Sequence, residues 1–207
     1  MFRRAAVLAA ALTLTTITGC AEQATTPAAA PSAGTGGSPV AAGAPWHDDV
    51  APAAADITVG PKGSACPLPM TFSMPADWKV KSAKATGFKA GPALLLCEID
   101  AKPAGNIGFL RVWRIEGAAP ANPQATVDAF LAEYSKKATD QQYRPTKAGQ
   151  VDSTEATWVE EEARKRAIVI PAEGGTMMLT LGGLDDEEFE EMLPAYQLAK
   201  SSVSLPK

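Results

Sequence analysis

Glu160, Glu161 and Glu162, with Glu155 just upstream, form the densest group of acid–base candidates in the 207-residue chain. On a strand, Glu160 and Glu162 would share a face roughly 7 Å apart by strand rise. Two carboxylates at such a separation can act as acid and base on a glycosidic bond. Arg164, Lys165 and Arg166 follow at once. That change of sign equally suits cross-strand charge pairing on a solvated sheet edge, and this second reading is preferred. Other chemistry has fewer residues to draw on. One His, His47, and three Cys exclude His-rich metal sites and most His-based triads. Gly174-Gly175 and Gly182-Gly183 are not followed by Gly-Lys-Ser/Thr, so neither is a phosphate loop. The acidic run 185–191 lacks calcium-loop spacing and suits the positive end of a helix instead. No catalytic residue, metal ligand or cofactor is assigned. With 19 cations against 23 anions and a net charge of −4, the chain has no clustered positive field. Nucleic acid is therefore excluded as the main partner.

The three cysteines divide by position. Residues 1–19 have the form of a signal peptide: Arg3 and Arg4, then an apolar stretch from Ala5 to about Thr16, too short to span a bilayer. The stretch ends in Ile17-Thr18-Gly19-Cys20, which resembles a bacterial lipobox with Ile at its first position. The resemblance implies cleavage before Cys20 and diacylglycerol on its sulfur, with fatty acyl chains such as palmitate. Two acyl chains suffice for stable anchoring. That places the protein, by expectation, on the extracytoplasmic face of the cell membrane. Cys66 and Cys97 remain, and an even pair in an exported chain reads as a disulfide. The alternative, a redox pair, lacks both the Cys-x-x-Cys spacing and a nearby His.

Residues 20–65 read as the lipidated Cys and a tether without a packed core. Ala, Pro, Gly, Thr and Ser fill 33 of the 45 positions from 21 to 65. Such a stretch buries too little apolar surface to offset its ordering entropy. Its random-coil reach is about 35–40 Å. Trp46 and His47 are the odd residues in it, read as incidental.

Residues 66–207 are the expected single globular domain. Strands are predicted near Met70–Met74, Trp78–Ala83, Ala93–Ile99 and Ile107–Ile115 from their apolar alternation and runs. In the last of these, Phe109, Arg111, Trp113 and Ile115 point opposite to Leu110, Val112 and Arg114. Asn122 as N-cap and Pro123 at the first helical position open a helix. Its face is Val127, Phe130, Leu131 and Tyr134. A meander follows over Thr157–Ala163, Ala167–Pro171 and Thr176–Leu181, turning at Gly174-Gly175. Asp185 with Glu188 resembles a capping box for a last helix, which Pro194 should kink or restart. Trp78, Trp113 and Trp158 could line a groove or be core; two of the three are read as core, with one left exposed.

These elements predict an α+β fold, an antiparallel sheet covered by helices. The opening Met70-Thr71-Phe72-Ser73-Met74-Pro75-Ala76-Asp77-Trp78 resembles the entry of PsbP-fold domains. The tail from Gly182-Gly183-Leu184 to Ser201–Leu205 resembles their closing helix and last small strand. Behind a lipobox and tether, the layout is similar to that of actinobacterial LpqN/LpqT-type lipoproteins. The resemblance implies a PsbP-like α/β/α sandwich and a non-catalytic binding or accessory role in the cell envelope. The partners implied are the membrane, through the anchor, and an unidentified envelope protein, lipid or glycan. The competing class is a carboxylate-dependent envelope hydrolase using Glu160 or Glu162.

Overall fold

The computed structural model describes residues 42–117 and 122–206, all within the compact unit Ser38–Lys207. The leader, Cys20 and the tether up to residue 41 lie outside the described residues.

The described residues form ten strands and two α-helices in chain order: β1 Ile57–Val59, β2 Phe72–Met74, β3 Lys79–Ser82, β4 Lys89–Ala90, β5 Ala93–Asp100, β6 Gly108–Ile115, α1 Pro123–Tyr134, β7 Thr139–Ala148, β8 Val151–Glu160, β9 Ala163–Ala172, β10 Gly175–Gly183 and α2 Asp186–Ser201. The main sheet has the order β3-β5-β6-β10-β9-β8-β7, with β4 paired to β5. Its pairings are antiparallel. β1 and β2 make a separate antiparallel ribbon.

The strand alternation read from the sequence sorts side chains onto two buried faces. Leu110, Val112, Ile168, Ile170, Leu179 and Leu181 face α2, whose Phe189, Met192, Leu193 and Tyr196 pack on them. Trp113, Ile115, Ala167, Val169 and Met178 face α1, which contributes Val127, Phe130 and Leu131. Each such aliphatic or aromatic side chain contributes about 1.5–3 kcal/mol by leaving water. The result is the α+β fold with one sheet between two helical layers. Thr71 and Ser204 form a single antiparallel bridge after α2, where a last small strand was expected.

Local signals set the helix starts. Asn122 Oδ1 accepts the Gln124 N–H at 2.9 Å, and Asp185 Oδ1 accepts the Glu188 N–H at 2.9 Å. Helix α2 runs unbroken through Pro194, contrary to the expected restart. The carbonyl of Pro194 is taken up from outside the helix by the Ala53 N–H at 2.8 Å. Cys66 and Cys97 are joined by a disulfide with Cα atoms 6.0 Å apart, which ties the connection between β1 and β2 to β5.

The tether boundary expected at residue 65 is corrected. β1 pairs with β2 in register Ile57–Met74 to Val59–Phe72. Val50 and Ile57 pack against the α2-side core. The described part of the segment, from residue 42, belongs to the folded body. Its few apolar and charged residues meet partners far along the chain, which a compositional average does not register.

Candidate functional site

Helix α1 has 12 residues, about 18 Å of rise, and covers only part of its face of the sheet. Beyond its C-terminal end the sheet surface forms a cavity of about 280 Å³. β6 supplies Phe109 and Arg111, β8 supplies Trp158 and Glu160, β9 supplies Lys165, and β10 supplies Thr180 and Gly182. Tyr134, the last residue of α1, closes one wall. Stacking on Phe130 at 4.6 Å and an edge contact with Trp113 at 5.4 Å hold the Tyr134 ring in place. Ile107 and Leu184 form an exposed apolar rim, 55% and 65% accessible.

The floor is polar and internally balanced. Arg111 donates to Glu98 Oε1 at 2.8 Å and to the Tyr134 hydroxyl at 3.0 Å, and its guanidinium lies 4.5 Å from the Phe109 ring centre. Lys165 donates its ammonium to the Gly183 carbonyl. Burial pushes the Lys165 ammonium pKa down against the opposing pull of Glu160 and Asp186. Burial likewise raises the pKa of the Tyr134 phenol. Thr180 Oγ1 accepts the Trp113 indole N–H from the core side at 2.9 Å. Trp158 is 2% accessible, and its indole N–H has no hydrogen-bond partner among the described residues. The three body tryptophans are all buried, where the sequence led one to be expected exposed. The reason is that each packs into a core, Trp78 on the α2 side and Trp113 and Trp158 on the α1 side; Trp158 also lines the cavity. Among the described residues no three metal-ligating side chains cluster.

The carboxylate pair is not assembled. β8 ends at Glu160 and β9 begins at Ala163. Glu161 and Glu162 form the hairpin turn between them, with φ of 51° and 67°. Glu162 therefore leaves the strand face that Glu160 occupies, and Glu160 is the single carboxylate among the cavity's lining residues. Glu155 is wholly buried on the opposite face.

There Glu155 anchors a second polar cluster. It accepts from Tyr196 at 2.8 Å, from Lys200 at 3.0 Å and from Arg144 Nε at 2.8 Å, with Arg166 at 3.8 Å. Burial, then the Glu155 charge, holds the Tyr196 phenol pKa well above its usual value. Residues 43–53 lie over this cluster as a strap. Asp48 meets Arg144 at 2.5 and 2.6 Å, and Trp46 stacks 4.3 Å from that guanidinium. Gln197 donates to the His47 carbonyl at 2.9 Å. The sequence reading set Trp46 and His47 aside and missed Asp48. The only local signal was an aromatic beside paired aspartates in an otherwise bland stretch.

A family model described as "Uncharacterised lipoprotein" matches residues 36–203. The chain belongs to that lipoprotein family. Both the strap and the cavity fall inside the match. Among solved structures, the lipoprotein is similar to the cyanobacterial PsbP protein (CyanoP) of Synechocystis sp. PCC 6803, with a TM-score of 0.52, 11% identity, 72% of this chain and 92% of that one. That likeness shows a PsbP-like fold. It is also similar to LpqN of Mycobacterium tuberculosis, described as involved in cell envelope biogenesis, with a TM-score of 0.41, 16% identity, 72% of this chain and 90% of that one. No curated protein matches the sequence.

Proposed function

We propose that the lipoprotein is anchored through acylated Cys20 on the extracytoplasmic face of the cell membrane. There its domain serves the envelope as a non-catalytic binding or accessory module. The cavity beside α1 is its binding site. The observation that carries this reading is the layering of that cavity: an apolar rim of Ile107 and Leu184 above a floor of paired charges and the Trp158 ring. Exposed apolar groups bordering a concave polar floor favour a ligand with one polar and one apolar part. The pairing of Arg111 with Glu98, and the approach of Glu160 to Lys165, leave little net field to select a strongly charged molecule.

The anchor is tested by labelling cells with radioactive palmitate. Label on the wild type and none on Cys20→Ala supports it. Equal label on both contradicts it. The site is tested by photocrosslinking from its rim in cells: a discrete adduct from Leu184 supports it, and none contradicts it.

A further inference from the structure

Arg144, Arg166 and Lys200 converge on Glu155 from β7, β9 and α2. Three cations against one buried carboxylate leave an excess of two positive charges. The strap brings the balancing group: Asp48 is gripped by both terminal nitrogens of Arg144 and stands 3.8 Å from the Lys200 ammonium. Even so, donors outnumber acceptors. Arg166 is wholly buried, and its Nε and Nη1 have no hydrogen-bond partner among the described residues. Among the described residues its Nη2 is met by the Pro45 carbonyl, again from the strap. Glu155 at 3.8 Å and the Phe189 and Tyr196 rings, 5.7 and 5.3 Å from the guanidinium, face Arg166 as well, but two buried N–H donors without a hydrogen bond are costly, and further acceptor oxygens would relieve them.

We propose that this well is an oxyanion site of the phosphate class, closed in the present state by the strap's Asp48. Fork geometry suits phosphate as well as carboxylate, and a tetrahedral ligand has the extra oxygens that the Arg166 donors lack. Entry of a phosphate requires Asp48 to leave. Trp46 on Arg144, the His47 carbonyl on Gln197, Val50 on the core and Ala53 on Pro194 hold the rest of residues 43–53 to the same face and would leave with Asp48. Ligand binding and strap release are then one reciprocal equilibrium. With Cys20 acylated as proposed above, residues 43–53 lie in sequence between anchor and domain, and their release lengthens that connection. The proposal is independent of the cavity on the other face and stands or falls without it.

The test is hydrogen exchange of residues 43–53 in the purified full chain, titrated with inorganic phosphate and, at equal ionic strength, with chloride. The expected result is a saturable rise in strap exchange with phosphate and none with chloride. Equal responses to the two salts, or no response, overturn the proposal. Vesicles of phosphatidylglycerol, against phosphatidylcholine, separate the sources. A rise with inorganic phosphate alone means a free ion, and a rise with the anionic vesicles means a lipid headgroup. Asp48→Asn should tighten phosphate binding roughly tenfold or more by removing the internal competitor. A folded Asp48→Asn protein that binds phosphate no better than wild type also overturns it. Should that variant not fold, the wild-type titration decides.

Discussion

Asp48 and Arg144, 96 positions apart, meet through two hydrogen bonds at 2.5 and 2.6 Å. The same guanidinium holds Glu155 from its other edge. One side chain thus joins a strap, an edge strand and the strand beneath α2.

Breaking that junction from its centre should be expensive. Glu155→Ala leaves three buried or nearly buried cations without their carboxylate and should cost about 3–5 kcal/mol. Tyr196→Phe removes one hydrogen bond to a charged group and should cost about 1.5–3 kcal/mol. Urea unfolding of the two variants measures both, with Glu155→Ala the worse.

The strap should loosen in acid. His47 is held below its ordinary value of 6.5 by burial first, then by Arg166 and Arg164, against the opposing Glu190 and Asp49. A folded state with the lower pKa binds fewer protons than the released one. Stability of the docked strap is therefore full above about pH 6.5 and falls as the pH drops through that value. Exchange of residues 43–53 at about pH 7.5 and pH 5.5 should show faster opening at the lower pH. His47→Gln should flatten the difference.

The helix caps and the Gly174-Gly175 turn were legible because each rests on neighbours within a few positions. Asn122 caps Gln124, Asp185 caps Glu188, and Gly174 takes φ of 79° at no steric cost. The strap was not legible. Its partners, Arg144, Arg166, Gln197 and Pro194, lie about a hundred or more positions away, and no local spacing encodes them. The Glu161-Glu162 turn was hidden for a related reason. Neither residue signals positive φ, and the β8–β9 ladder imposes it. The cavity depends on how much sheet α1 leaves uncovered, which periodicity does not report.

The Cys66–Cys97 bridge should matter to the whole domain. With a sequence separation of 31, the chain-entropy account gives about 3.5–4 kcal/mol. Paired Cys66→Ser and Cys97→Ser substitutions should lower the unfolding free energy by that amount, read as a lower urea midpoint, and reduction of the wild type should do the same.

Substitutions on the cavity should separate binding from stability. Ile107→Asp and Leu184→Asp change exposed side chains and should alter unfolding free energy by less than about 0.5 kcal/mol. Gly182→Leu acts on the floor, where a Cβ already meets the Lys165 side chain at 3.0 Å. Its larger side chain must project into the cavity and should block it.

The central claim is that the cavity beside α1 binds a component of the envelope. A photoactivatable residue at Leu184, in cells, tests it most directly, with the same residue at exposed Asp77, which does not line the cavity, as the control. The account predicts one discrete adduct from position 184, absent from position 77 and lost when Gly182→Leu is added. No adduct at 184, or the same adducts from both positions, would contradict it.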